Sequence, residues 1–200
     1  MSRLATAAVV LAGLALAGCT ETNAGEPVPA SSAPAGGGAG PAPSVSIPPR
    51  PREIKLDGVD PCKLFTKAQL GQIKVTRQRN GVQTDETFKG AAQCLMDGNE
   101  GQTFFDYTVW LVTTEGMEPW LSGKRNADAK LVSVEGFPAA SYKIRGTTTF
   151  NCWTSVGVAN GQQLTVEFRP INRDVLSQNQ MCEKSEQAAG LAMQTLQTLK

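Results

Sequence analysis

Between Phe104 and Val112 bulky side chains recur with a period of two: Phe105, Tyr107, Val109 and Leu111 on one face, and Phe104, Asp106, Thr108, Trp110 and Val112 on the other. Both faces carry bulk, which predicts a central strand covered on at least one and a half sides. Gln93 to Met96 predicts an earlier strand carrying Cys94. Farther on, Asn160-Gly161 separates two strand patterns, and this dipeptide favours a type I′ hairpin because that turn needs positive φ at both central residues. The hairpin predicts a register in which Ala159 pairs with Gln162, Gly157 with Leu164, Ser155 with Val166 and Trp153 with Phe168 on one face. Cys152, Val156 and Val158 then occupy the opposite face.

Two segments read as helical. Asp60-Pro61 places a capping residue before a proline at the first helical position, and Thr66 with Gln69 forms a capping box, so a short helix or two broken turns is expected over 61–73. Near the C-terminus Cys182, Ala189, Ala192, Leu196 and Leu199 recur at helical spacing, with Ser177 or Asn179 available as the cap. A Cys152–Cys182 bond would lay this helix over Val156 and Val158. The N-terminal helix, tied through Cys62 to the Cys94 strand, would then cover the opposite face. The expected fold is therefore α+β: a mainly antiparallel twisted sheet with N-terminal and C-terminal helices packed on it, extending to an α/β/α sandwich, with two disulfides.

The N-terminal third follows a different pattern. Residues 1–18 have the parts of a secretory signal, with Arg3 in the basic region and an uncharged apolar run from Ala5 to Leu16 that is too short to span a bilayer. Leu16-Ala17-Gly18-Cys19 resembles the bacterial lipobox, in which the cysteine receives a diacylglycerol and becomes the new N-terminus; cleavage of an ordinary signal peptide is the alternative. Lipid attachment at Cys19 implies a protein held on the outer face of the cell membrane, because two or more acyl chains exceed the marginal hold of one. Residues 19–52 are Ala, Gly, Pro and Ser with almost no large apolar side chain, which predicts a disordered tether. Residues 53–200 are left as a single extracytoplasmic domain large enough to bury a core.

Charge and composition then remove function classes. The chain has 19 basic and 18 acidic residues, and removing Arg3 with the signal leaves 18 of each. Near-neutrality argues against nucleic-acid binding by bulk electrostatics, and the densest basic stretch, Lys74, Arg77 and Arg79, reads as a solvated face. There are no histidines, which excludes Ser-His-Asp and Cys-His nucleophile systems and His-ligated zinc. Neither a Ser-x-x-Lys nor a Cys-x-x-Cys motif is present, so neither catalytic residues, a cofactor nor a metal is expected beyond acyl groups on Cys19. Asp85-Glu86, Asp106 and Glu167 read as surface charges. Four cysteines remain for the domain in an oxidising compartment, and they allow three connectivities. Cys62–Cys94 and Cys152–Cys182 are expected, since each closes a local loop of about 30 residues.

Asp60-Pro61-Cys62 opening a helix, Cys94 on the next strand, Gly136-Phe137-Pro138-Ala139-Ala140, and Cys152 with a final helix bearing Cys182 follow one another in this order. Together they resemble a family of actinobacterial cell-envelope lipoproteins known only as a domain of unknown function. Leu95 departs from that pattern, in which an aromatic follows the cysteine. The layout is also similar to extracellular sensor domains of some mycobacterial Ser/Thr kinases, a likeness of fold alone. The resemblance implies no catalytic residues.

The function expected is a non-enzymatic envelope module, a sensor, binding or accessory domain that meets an envelope protein, a cell-wall component or a small ligand, as a monomer. Met117, Pro119 and Trp120 form the candidate contact loop, since a Trp beside Pro outside the strand pattern suits a contact surface; the alternative is that Trp120 is a lid on the core. A carrier of a lipid or other apolar ligand is the second class. A carboxylate-only glycan hydrolase using Asp106 and Glu167 is the third.

Overall fold

The computed structural model describes residues 45–146 and 150–199. The signal segment 1–18, Cys19 and most of the 19–52 segment lie outside the described residues. Seven strands form one antiparallel sheet: β1 Val75–Val82, β2 Ala92–Glu100, β3 Thr103–Val112, β4 Ala127–Val134, β5 Phe137–Ile144, β6 Cys152–Ala159 and β7 Gln162–Pro170. Their spatial order is β1-β2-β3-β7-β6-β5-β4, two meanders joined where β7 lies against β3. The strand with the clearest alternation is thus interior, and its two faces feed two separate cores. Phe105, Tyr107, Val109 and Leu111 enter one; Trp110 and Val112 enter the other.

The N-terminal helical segment is two broken turns, a 3-10 turn Pro61–Leu64 and α1 Lys67–Gln72. The Asp60 carboxylate accepts from Cys62 N at 3.0 Å. Thr66 and Gln69 form the reciprocal capping box, with bonds of 2.8 and 3.2 Å, and the break between the turns falls where the second cap begins. A four-residue helix, α2 Glu118–Leu121, lies in the β3–β4 connection. The C-terminal helix, α3 Gln178–Leu199, is capped by Ser177, whose Oγ accepts from Gln180 N while Gln180 Oε1 accepts from Ser177 N. Its buried stripe includes Met181, Ser185, Ala188, Ala189, Ala192 and Leu196, while Leu199, expected in the stripe, is 53 % exposed. The small residues bring the helix close to the sheet, where Ser185 Oγ and Thr154 Oγ1 are 2.6 Å apart.

Both expected disulfides are present, Cys62–Cys94 and Cys152–Cys182, spanning 32 and 30 residues. They do not place the helices on opposite faces, as the sequence led us to expect. Cross-strand partners point to one side of a sheet, and Cys94 pairs with Val109, Val109 with Val166, and Val166 with Thr154, two residues from Cys152. Cys94 and Cys152 therefore point the same way. The N-terminal turns and α3 share one face, joined by Gln69 Nε2 donating to Leu191 O and Thr195 Oγ1 donating to Gln69 Oε1, each at 3.0 Å. Leu64, Phe65, Ile73, Met181 and Leu196 pack in a single core there.

The β6–β7 hairpin also differs from the expected register. Gly161 has φ +68°, but non-glycine positive φ among the described residues is confined to Lys74, Phe88, Glu135 and Asp174, so Asn160 does not make a type I′ turn. Ala159 pairs with Gln162 as expected. A bulge at Val158 then slips the rest by one: Gly157 faces Gln163, Ser155 faces Thr165 and Trp153 faces Glu167. The extra residue has its own partner, since the Val158 carbonyl accepts from Ile54 N at 2.8 Å. The slip keeps Leu164, Val166 and Phe168 beside Cys152 and Val156 under α3, and burial of that face outweighs the preference of the turn.

The second face of the sheet is covered only in part. Residues 113–126 connect central β3 to edge strand β4, and α2 within them contacts β4 and β5. Ile47 packs into the same second core, so contacts with the domain begin ahead of residue 53. Arg50 bonds to Glu53 at 3.1 Å and pairs with Glu118 of α2 at 3.7 Å.

Candidate functional site

The bulge at Val158 determines what the second face carries. It leaves β7 presenting Gln163, Thr165 and Glu167 on this side, beside Trp153 and Ser155 of β6, Tyr142 of β5 and Thr108 and Trp110 of β3. Tyr142, Trp153, Glu167 and Thr108 form one cross-strand row, and Ser155, Thr165 and Trp110 lie in the next. This face of the sheet therefore carries a mixed polar and aromatic surface.

A buried hydrogen-bonded chain organises it. Tyr142 Oη lies 3.2 Å from Ser155 Oγ, which lies 2.8 Å from Thr165 Oγ1. Gln163 Oε1 accepts from Thr165 Oγ1 at 3.5 Å and from Trp120 Nε1 at 3.1 Å, while Gln163 Nε2 donates to Gly116 O at 3.0 Å. Trp120 is thereby fixed over Tyr142, with ring centroids 4.0 Å apart and planes 16° from parallel. The Arg125 guanidinium lies 5.2 Å from the Trp120 ring centroid and is paired with Glu115. Tyr142 in turn lies parallel to Trp153, centroids 5.7 Å apart. Burial, opposed by the bond to Ser155, holds the Tyr142 phenol far above its ordinary pKa.

Met117 and Trp120 are consequently interior, at 0 and 4 % exposure, and Pro119 is half-buried. The candidate contact loop is therefore the lid of the second core, the alternative reading of Trp120. Phe88 completes that lid from the β1–β2 connection, 6.2 Å from Trp110 and 6.0 Å from Trp120. Its φ is +63°, a conformation that an L-residue with a bulky side chain rarely adopts.

Beside the lid an open cleft of about 430 Å³ is walled by Phe88, Trp110, Trp120, Tyr142 and Trp153, with Glu167, Asp85 and Arg169 supplying its charge. The chain has three tryptophans, and all three line this cleft. Glu167, read from the sequence as a surface charge, is half-buried and accepts from Asn151 Nδ2 at 2.6 Å. Burial raises its carboxyl above the ordinary 4.5, with Asn151 and the Arg169 charge acting against the rise and Asp106 adding to it. Arg169 donates to Asp106 at 2.8 Å. Trp110 is 7 % exposed, yet its indole Nε1 has no hydrogen-bond partner. The chemistry on offer in the cleft is an aromatic surface and one under-compensated carboxyl.

Other surfaces offer less. A larger groove of about 580 Å³ is lined by Leu56 to Val59, Lys89 to Ala92, Leu111, Thr113 and Thr114, without an aromatic wall. Arg77 and Arg79 both pair with Asp97 across β1 and β2, so the basic stretch is partly neutralised. Among the described residues no group of His, Cys, Asp or Glu could hold a metal ion, and no helix is long and apolar enough to cross a membrane.

Sequence reasoning missed Phe88, Tyr142, Trp153 and Glu167 as members of one site. The available signal was a carboxylate inside the apolar run Leu164 to Phe168, but the expected hairpin register assigned that run to the wrong partners. A family model described as "Protein of unknown function (DUF3558)" matches residues 14–195. No curated protein and no solved structure matches the chain.

Proposed function

We propose, for a chain that belongs to the DUF3558 family of proteins of unknown function, a role as an extracytoplasmic binding module held to the membrane by lipid on Cys19 and recognising a small ligand or cell-wall component in the aromatic cleft. The observation that carries this reading is the convergence of three tryptophans and a half-buried carboxyl on one concave surface. Apolar walls with a few convergent polar groups are the general form of a small-ligand site. Placing Phe88 at positive φ costs about 1–3 kcal/mol, and strain of this kind concentrates where a site must be held in shape.

The two other readings draw less support. An apolar carrier would have to desolvate Glu167 against an acyl chain, which offers it no partner. Glycan hydrolysis is favoured by one observation: Asp106 and Glu167 occupy diagonal positions on β3 and β7 with different environments, one paired with Arg169 and one raised by burial, as an acid and its ionised partner require. Nothing else in the cleft calls for chemistry, and binding without turnover is the simpler role.

The test is native mass spectrometry of the full chain extracted in mild detergent from cells that express it. The expected result is a non-covalent adduct on the native protein that is absent from Trp153→Ala. An adduct retained by that variant, or none on either protein, overturns the assignment of the cleft. Anchoring is tested separately: Cys19→Ser should move the protein from the membrane to the soluble fraction, and unchanged fractionation overturns the lipid attachment.

A further inference from the structure

The ligand class follows from the charge of the cleft, and it rests on the reading of the cleft as a binding site. Trp153, half-buried, is the tryptophan most open to it. Its cross-strand neighbours on this face are Tyr142 of β5 and Glu167 of β7, and such neighbours stand about 4.5–5.5 Å apart at Cβ. A group resting on the indole therefore also reaches the carboxyl. Glu167 accepts from Asn151, a neutral amide, at 2.6 Å. Arg169, the one cation among the described residues that line the cleft, is engaged by Asp106 directly across the strand pair at 2.8 Å. What its charge lends Glu167 falls short of the cost of burial. Asp85 adds a second carboxyl from the β1–β2 connection. The cleft thus joins aromatic rings to two carboxyls, with its cation already paired.

Other ligand classes leave part of this unmet. An anion would meet both carboxyls. An acyl chain would bury Glu167 against carbon and raise the cost of its charge. A neutral polyol would donate a hydrogen bond but leave that charge without a counter-charge. Calcium takes six to eight oxygen ligands, and among the described residues no group of acidic side chains could hold a metal ion. An organic cation meets every feature, because its charge balances Glu167 and is attracted to ring faces within about 6 Å. We infer that the cleft binds an organic ammonium ion, its charged centre resting on Trp153 and facing Glu167 and Asp85. At about 430 Å³ the cleft falls inside the usual range for small-ligand sites, ~300–1,000 Å³. Its open form lets the rest of the ligand extend into solvent, which suits an ammonium group carried at the end of a larger molecule.

The test titrates the full chain by calorimetry and tryptophan fluorescence, in amine-free buffer at fixed ionic strength, with choline and with Nα-acetyl-lysine methylamide, which stand for a lipid headgroup and a peptide amine. Parallel arms use 3,3-dimethylbutan-1-ol, a neutral copy of choline's shape, an oligosaccharide of β-linked N-acetylglucosamine, and palmitate. Saturable binding of at least one cation is expected, about tenfold or more tighter than the neutral copy and weakened about tenfold or more by Glu167→Gln and by Trp153→Leu. The ligand's charge favours the ionised form of Glu167, so affinity for it should rise with pH above about 4.5 in the native protein and far less in Glu167→Gln. Asp85, Asp106, Arg169 and Tyr142 are the other titratable groups around Glu167, and Asp85→Asn should lower the affinity without removing the rise. Glu167→Gln and the neutral copy carry the test if Trp153→Leu does not fold. Cation binding that Glu167→Gln leaves intact, or that the neutral copy equals, overturns the inference. Binding of the oligosaccharide or palmitate that Trp153→Leu abolishes, with both cations silent, overturns the cation class while leaving the cleft as a binding site. Silence in all arms overturns the cation class, and an adduct on the native protein that Trp153→Ala lacks decides whether the binding reading survives it.

Discussion

Trp120 shows how one side chain admits two readings from its neighbours in sequence, an exposed contact or a lid on the core, and the structure gives the lid. Beside a proline and outside any strand pattern it suggests an exposed contact, yet it is stacked between Arg125 and Tyr142 and hydrogen-bonded to Gln163. Trp120→Ala is expected to lower stability by about 3–5 kcal/mol, the range for truncating a buried large aromatic, read as a fall in the urea midpoint. A melting temperature equal to that of the native protein would return Trp120 to the surface. Glu167 presents the converse case, a charge read as solvated that the fold half-buries. Because burial raises its folded pKa above 4.5, the folded state binds the proton more tightly than the unfolded chain. The resulting stabilisation is full below about 4.5 and is lost as pH rises through the raised folded value. Glu167→Gln should flatten this decline above pH 4.5 in denaturant titrations, and a pH profile parallel to the native one counts against burial as the cause.

At the scale of elements, caps were legible and turns were not. Asp60, Thr66 with Gln69, and Ser177 all cap as their positions suggest, because a cap depends on residues within one turn of each other. The β4–β5 and β6–β7 hairpin turns depend on what their strands bury. Asn160-Gly161 has the preferred composition for a type I′ turn, and the β6 bulge displaces it. Glu135-Gly136, without that composition, has φ +50° and +84° at its two central residues, because β4 and β5 pair without a slip from Val134–Phe137 to Ala127–Ile144. Glutamate is strained in the left-handed region, which asparagine tolerates. Glu135→Asn is therefore expected to raise stability by about 0.5–1 kcal/mol, despite losing the exposed bond from Gln194. A loss of stability would mean that this bond outweighs the backbone.

For the molecule as a whole, the strand order sets where rigidity lies. β3, β7 and β6 are flanked on both sides and carry the first core under α3, whereas β1 is an edge strand with mostly exposed or half-buried side chains. Hydrogen exchange should find the slowest amides in β3 and β7 and faster exchange in β1; uniform protection across the sheet would contradict this ranking. Local chemistry made several features readable from the chain: the strand from Thr103 to Val112, the capped turns, the C-terminal helix and the pairing of cysteines across short loops. Each is specified by residues close in sequence, through side-chain period, capping distance or loop length. Tertiary structure alone decided that β7 inserts beside β3, that both disulfides hold their helices on one face, and that the bulge at Val158 turns Gln163, Thr165 and Glu167 toward the tryptophans. These outcomes depend on which long-range strand pairing buries the larger apolar face. A one-residue slip exchanges every side chain between the faces of a strand, so local signals could name the residues of the cleft but could not bring them together.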